Sequence, residues 1–337
     1  MSPVRGGAAL AVLALLSGLS AGCDEPLRRR VPPSEGPRPS PASVAASPRA
    51  TDHFETSGGD LAVAPLEHAT LLLVWQGLAI YVDPTSPTVD DPPMPKADFI
   101  LVTDAHYDHL DPLALYHLSK PGTVVVGSPG VAARAPVDLS MREGETRELA
   151  RGLTATAVPA YSLARGAGPG LRYHERGQAV GYVLTMEGRG GRGGTRGETR
   201  VYVSGDTECT PEQSALTDVD VAFLSLNVPY SMTAAEATRC AAAFRPRVVF
   251  PYAYRHAAPA TLDRAALGPG IDVRMRPMYP RAANARARAY AAFASGMWGG
   301  ADDLLDEARR LDPAGENDWR VRWTRESLEE DEKPWPW

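Results

Sequence analysis

The segment Leu101–Pro112, LVTDAHYDHLDP, decides how this chain is read. The apolar run Phe99-Ile100-Leu101-Val102 predicts a short buried strand that ends at Thr103. The loop beyond it presents Asp104, His106, Asp108 and His109 within six residues. Imidazoles and carboxylates packed so densely after a buried strand can converge on a metal ion. A lone H-x-x-H is a common accident, whereas the whole T-D-x-H-x-D-H-L-D arrangement is specific.

Outward from this segment, strand-like runs alternate with loops and a few helices from about residue 51 to 282. Leu71–Trp75 and Ala79–Val82 flank Gln76-Gly77, a hairpin signature that closes on Asp83-Pro84. Val124–Val126, Thr154–Val158, Val219–Leu226 and Val248–Phe250 are further strand runs, and Gly181–Met186 pairs with Arg200–Ser204. The connector 187–199 holds six glycines and three arginines and reads as a surface loop, since no helix start follows it to cradle phosphate. Thr233–Phe244 is apolar at 237, 240, 241 and 244, a half-buried helix with Thr233 and Glu236 priming its start. Mixed strands with helices between them indicate a layered α/β domain. Beyond it, 283–337 predicts C-terminal helices, Ala285–Ala294 and Ala301–Leu311, and an acidic tail that frays from Glu329 to Trp337.

The whole chain has 337 residues, 41 acidic against 35 basic, with 44% hydrophobic and 23% charged side chains. Those proportions exclude wholesale disorder, a multi-span membrane protein and a collagen-like repeat. The net charge of −6 argues against nonspecific binding to nucleic acid, which needs a basic face. At the start, Arg5 precedes an apolar stretch, Ala8–Leu16, that is too short to span a bilayer. It ends in Leu19-Ser20-Ala21-Gly22-Cys23, which resembles a bacterial lipobox, with Ser20 where leucine is usual. Residues 1–22 are therefore expected to be a signal peptide of lipoprotein type, and Cys23 to carry lipid that tethers an exported protein to a membrane surface. Residues 23–50, rich in proline and serine and including Arg28-Arg29-Arg30, form the tether. Of the three cysteines, Cys209 and Cys240 lie in the domain, and nothing in their spacing brings them together, so free thiols are the expectation.

The central segment resembles the H-x-H-x-D-H signature of the metallo-β-lactamase superfamily, and other segments match it in order. Glu67-His68-Ala69-Thr70 resembles the G-H-A-T/S of the branch that includes ascorbate-phosphate lactonases and N-acylphosphatidylethanolamine phospholipases D. Tyr81-Val82-Asp83-Pro84 resembles that branch's next motif, and Ser204-Gly205-Asp206-Thr207 the one whose aspartate bridges two metals. The resemblance covers 51–282 and implies an αββα four-layer metallo-β-lactamase sandwich, to which the C-terminal helical segment is an addition.

Carried over residue by residue, the resemblance implies metal ligation by Asp104, His106, Asp108, His109 and Asp206. Three family ligands differ here. Asp104 stands in place of the first histidine, Ser162 in place of the one after Pro159-Ala160-Tyr161, and Ala253 in place of the last. Waters or nearby side chains would complete the shells, His174 and His256 being the histidines near the two gaps. The implied cofactor is one or two divalent ions: zinc, or else manganese or iron. The implied activity is hydrolysis of an ester, phosphoester or lactone in a small-molecule substrate by metal-bound hydroxide. Asp108 would orient that hydroxide or move its proton, and His68, at the rim, would hydrogen-bond substrate or leaving group. Tyr161, Tyr230 and Tyr254 are candidate pocket walls. The competing reading keeps the fold and drops catalysis, leaving a membrane-tethered interaction module.

Overall fold

The computed structural model describes residues 51–85, 94–188, 197–254, 262–276 and much of 278–329. The expected signal peptide, the tether, most of the connector 187–199 and the end of the acidic tail lie outside the described residues, as does His256.

The chain builds two seven-stranded sheets, one after the other. The first holds β1 (Asp52–Thr56), β2 (Gly59–Glu67), β3 (Thr70–Trp75), β4 (Leu78–Val82), β5 (Phe99–Val102), β6 (Val124–Gly127) and β7 (Leu139–Ser140). The second holds β8 (Thr146–Ala150), β9 (Leu153–Ala160), β10 (Ala179–Glu187), β11 (Glu198–Val203), β12 (Val221–Ser225), β13 (Val248–Tyr252) and β14 (Asp272–Val273). Neighbours in each sheet are neighbours in sequence. In both, the first four strands pair antiparallel and the last four parallel. The two halves thus trace one path twice. The expected hairpin is β3–β4, and its turn residues Gln76 and Gly77 both adopt positive φ, 49° and 76°, as a tight two-residue turn demands.

Strand periodicity places the core. On β3, Leu71, Leu73 and Trp75 face the other sheet, while Leu72 and Val74 face outward. That outer face is covered by α1 (Pro112–Leu118), through Leu115 and Leu118, and by Val131 of α2 (Pro129–Ala132). Asp111 starts α1 by accepting hydrogen bonds from the amides of Leu113 (2.9 Å) and Ala114 (3.1 Å), with Pro112 in the first turn. On the second sheet, α3 (Pro211–Ser214) precedes β12, and α4 (Ala234–Phe244) buries Ala237, Cys240, Ala241 and Phe244. The capping box read from Thr233 and Glu236 is present in full. Helix, sheet, sheet and helix make the four layers that the sequence predicts, and α5 (Arg264–Leu267) leads into β14. Asp52 of β1 is buried against Arg274 (2.9 Å) and Arg276 (2.6 Å), tying the edge of the first sheet to the segment after β14.

The C-terminal segment contains α6 (Trp298–Leu311), which includes the expected 301–311 helix, and α7 (Trp319–Glu329), which the sequence reading missed. In α7 the apolar residues Trp319, Val321 and Trp323 alternate with arginines, a strand-like period that hides a helix. The predicted 285–294 helix is described only in part. Leu304, Leu305, Phe293 and Val321 form a small core of their own, with Tyr107 of the first sheet packed against it. Gly300 makes that approach possible, since a Cβ there would lie 2.5 Å from the Tyr107 hydroxyl.

One expectation is overturned. Cys209 and Cys240 form a disulfide, with Cα atoms 5.7 Å apart. The loop after β11 folds over α4, a contact that a separation of 31 residues does not advertise. The closed loop constrains the unfolded chain by about 3–4 kcal/mol in the loop-entropy account.

Candidate metal centre

The site residues lie beyond strand ends on one edge of the sandwich. In the first half these are β2 (His68), β4 (Asp83) and β5 (Thr103 to His109); in the second, β9 (Ser162), β11 (Asp206), β12 (Asn227) and β13 (Ala253). Gly205, with φ of 63°, turns the loop after β11 toward β5, where a Cβ would sit 3.0 Å from Thr103 Cβ.

His109 is the centre of the geometry. Its Nδ1 faces Asp83 Oδ2 at 2.8 Å, and Asp83 also accepts from the Thr103 amide (2.7 Å) and hydroxyl (2.6 Å). A carboxylate on Nδ1 fixes the proton there and makes Nε2 the nitrogen that gives up its proton when a metal binds. That Nε2 is buried and makes no hydrogen bond, its neighbour Asp206 Oδ2 being 3.6 Å away. Asp206 is itself held by Ser225 Oγ (2.5 Å) and Asn227 Nδ2 (2.8 Å). Beside it, Asp108 Oδ2 lies 3.1 Å from Nε2 of His68.

A second group lies along the same loop. Asp104 Oδ2 is 2.8 Å from His106 Nδ1 and 2.8 Å from His174 Nε2. The His106 and His174 rings meet edge to face at 5.0 Å between centroids. His174 is brought in by the loop after β9, where its amide donates to Ser162 Oγ (3.2 Å) and its carbonyl accepts from Ser162 N (2.9 Å).

Charge in the metal-free protein follows these contacts. Burial raises Asp83 above the ordinary carboxylate range, against the pull of His109 and Thr103. Burial alone would also raise Asp104, but His106 and His174 overcome it and hold the carboxyl well below its ordinary value. Asp104 in turn pushes His106 up to about 9. Burial disfavours a charged His109, yet Asp83, Asp108 and Asp206 outweigh it and raise its pKa well above the ordinary value. Asp206 is lowered, its burial overcome by His109 and His174. In the metal-free protein the charged His109 ring pairs with Asp83 through Nδ1 and faces Asp206 at 3.6 Å from Nε2, so this buried, negative pocket attracts positive charge, which a divalent ion would supply in greater measure than a proton.

The structure therefore groups His68, Asp108 and His109, and separately Asp104, His106 and His174, each set with its ligand-type atoms within 4.8 Å of one another. Asp206 stands next to the first set. His68 is fully buried rather than at the rim. Ala253 has no side-chain donor atom, and Ser162 Oγ accepts from the His174 amide (3.2 Å). Tyr161 lies near the surface, donating to Glu212 (3.1 Å) with the Arg176 guanidinium over its ring. Tyr230 packs on Tyr173 at 4.9 Å, and Tyr254 is a buried packing residue whose hydroxyl donates to the Arg276 carbonyl. The sequence reading passed over Asp83, Ser225 and Asn227. Only Asp83 left a trace, in the Tyr-Val-Asp-Pro motif.

Two consecutive sheets of mixed strands, flanked by helices and carrying histidine–aspartate sets at one edge, define a metallo-hydrolase of the metallo-β-lactamase fold. The chain belongs to the β-lactamase superfamily: residues 62–253 match the family model described as the beta-lactamase superfamily domain. A crystal structure assigned as a metal-dependent hydrolase from Parabacteroides distasonis shares 35% identity with a TM-score of 0.61, covering 68% of this chain and all of that one. A UPF0173 metal-dependent hydrolase of Aeropyrum pernix is 26% identical over 204 residues, 56% of this chain and 80% of the relative. The corresponding protein of an Anaeromyxobacter species is 28% identical over 55% of this chain and 71% of its own length.

Proposed function

We propose that this metallo-hydrolase is an exported, lipid-anchored enzyme that cleaves an ester, phosphoester or lactone in a small-molecule substrate. The observation that carries the reading is the buried Nε2 of His109, which makes no hydrogen bond and faces Asp206 at 3.6 Å, an arrangement that a bound divalent ion would complete. Asp104, His106, Asp108, His109 and Asp206 are the residues proposed to hold one or two such ions. Zinc suits the imidazoles, and the oxygen ligand Asp104 also admits manganese or iron. When bound, the ion supplies Lewis acidity and brings the pKa of water toward neutrality.

The chain's own residues do the rest. Asp83 holds the His109 proton on Nδ1, so that Nε2 is the nitrogen that would ligate the ion. Asp108, facing His68 Nε2, is placed to take a proton from the attacking water. Ser225 and Asn227 fix Asp206 so that it does not reorient during turnover. His106 has 40% of its side chain exposed, whereas His68, His109 and His174 are at most 2% exposed, so substrate approaches from the His106 side. The resemblance to lactonases and phospholipases D favours the phosphoester and lactone members of the range.

Export is supported by the disulfide, a bond that persists in oxidising compartments. With Cys209 and Cys240 paired, the remaining cysteine of the sequence is Cys23, the residue that the lipobox resemblance selects. Among the described residues no helix is long and apolar enough to cross a membrane.

The test is elemental analysis and calorimetry of the purified protein with and without chelator, followed by hydrolysis assays on phosphodiester, lactone and ester panels. Metal at one or two equivalents, a lower melting temperature in chelator and metal-restored turnover are expected. Absence of bound metal and an unchanged melting temperature would instead favour the tethered interaction module.

A further inference from the structure

We infer that His68 and His174 are themselves metal ligands, so that this chain holds its ions in two rearranged sets, His68–Asp108–His109 and Asp104–His106–His174. The inference rests on the metal-dependent reading above and deepens it.

Four observations converge on it. The ligand-type atoms of each set lie within 4.8 Å of one another. His174 is 4% exposed and its Nδ1 is buried without a hydrogen-bond partner, as is Nε2 of His109. The nitrogens that face the carboxylates are Nε2 of His174, 2.8 Å from Asp104 Oδ2, and Nε2 of His68, 3.1 Å from Asp108 Oδ2, so each of these histidines already presents a ligand-type atom to its set. His68 is completely buried and adopts a left-handed backbone, φ 48°, that costs a non-glycine residue about 1 kcal/mol or more. Two backbone hydrogen bonds hold it there, from its amide to the Met278 carbonyl and from the Ala253 amide to its carbonyl, both 3.1 Å.

Those contacts also explain the two gaps. Ser162 exchanges hydrogen bonds with the backbone of His174, and Ala253 bonds the backbone of His68. Each residue that offers no ligand is therefore clipped to a histidine that does. In the rearranged sets His174 and His68 would take the ligand places that Ser162 and Ala253 leave empty, so that ligand number is kept while ligand origin changes. A histidine restored at 162 or 253 would compete with His174 or His68 for one site.

The experiment uses the full chain, stripped of metal and titrated with cobalt(II), read by elemental stoichiometry and by the visible cobalt spectrum. The wild type is expected to bind two equivalents. His68→Gln and His174→Gln retain a polar group that can bond Asp108 or Asp104 but ligates poorly. Each is expected to lose one equivalent or to weaken it by at least about tenfold, with an altered spectrum. The melting temperatures of the metal-free variants should match that of the metal-free wild type, which separates ligation from a structural hydrogen bond. The double change His174→Gln with Ser162→His should regain the lost equivalent. Two equivalents and an unchanged spectrum in both single variants would overturn the ligand assignment while leaving the hydrolase reading intact. A wild type that takes up no cobalt, zinc or manganese would overturn both.

Discussion

The two histidine–aspartate sets use the same chemistry in different settings. His68, Asp108 and His109 all come from the first sheet, and their side chains are at most 6% exposed. Asp104 and His106 come from the same loop, but the third member, His174, is lent by the second sheet, and His106 is 40% exposed. One set therefore draws all its side chains from a single half, and the other is closed by a loop that has to be held in place. The brace is visible. Glu208 accepts from the amides of Ala164 (3.0 Å) and Arg165 (2.7 Å), and the Arg165 guanidinium bridges Glu208 and Glu236. Cys209 and Cys240, one residue and one helical turn further on, bind the same two elements covalently. The second half braces both sets, the buried one through the backbone of His68 and the open one through this side-chain and disulfide strut.

The strongest way to break this contrast is His109→Ala. It leaves Asp83, Asp108 and Asp206 facing one another without their shared partner, and turnover is expected to fall to background with loss of at least one metal equivalent, read by elemental analysis. Next comes the strut. Replacing both cysteines with serine removes a constraint of about 3–4 kcal/mol, so the melting temperature should drop clearly, and metal affinity should decline more in the His174 set than in the His109 set. Equal decline in both would show that the brace is not selective. Asp83→Asn, which keeps the shape but exchanges a carboxylate for an amide at His109 Nδ1, should weaken metal binding about 10–100-fold, measured by competition with a chromophoric chelator.

The smallest effect is in pH. In metal-free protein the charged His106, raised to about 9 by Asp104, stabilises the fold fully below the ordinary histidine value and progressively less as pH rises through about 9. Asp104, held low, contributes above the ordinary carboxylate value and loses its contribution as pH falls toward its depressed one. Thermal midpoints in chelator should therefore fall between pH 7 and 10, and His106→Gln should flatten that limb.

Much of this was legible in the chain. Alternation in Leu71–Trp75 and the Gln76-Gly77 turn predict β3–β4, and Thr233 with Glu236 predicts the start of α4, because these signals are local. The dense run Asp104 to His109 reveals the site for the same reason. What stayed hidden was contact at long range. His68 and His174 approach the centre through backbone bonds to Ala253 and Ser162, and Asp83 grips His109 across 26 residues. Cys209 and Cys240 meet because β11 and α4 pack together, not because of any motif. Spacing reports neighbours along the chain, whereas folding decides neighbours in space.

The repeated strand path has a mechanical consequence. Asp83 and Asp206 each follow the fourth strand of their half, and they flank opposite nitrogens of the same imidazole, Nδ1 and Nε2 of His109. One ring is thereby gripped from both sheets at once, so any slip of one sheet past the other is felt first at the atom that would meet the ion.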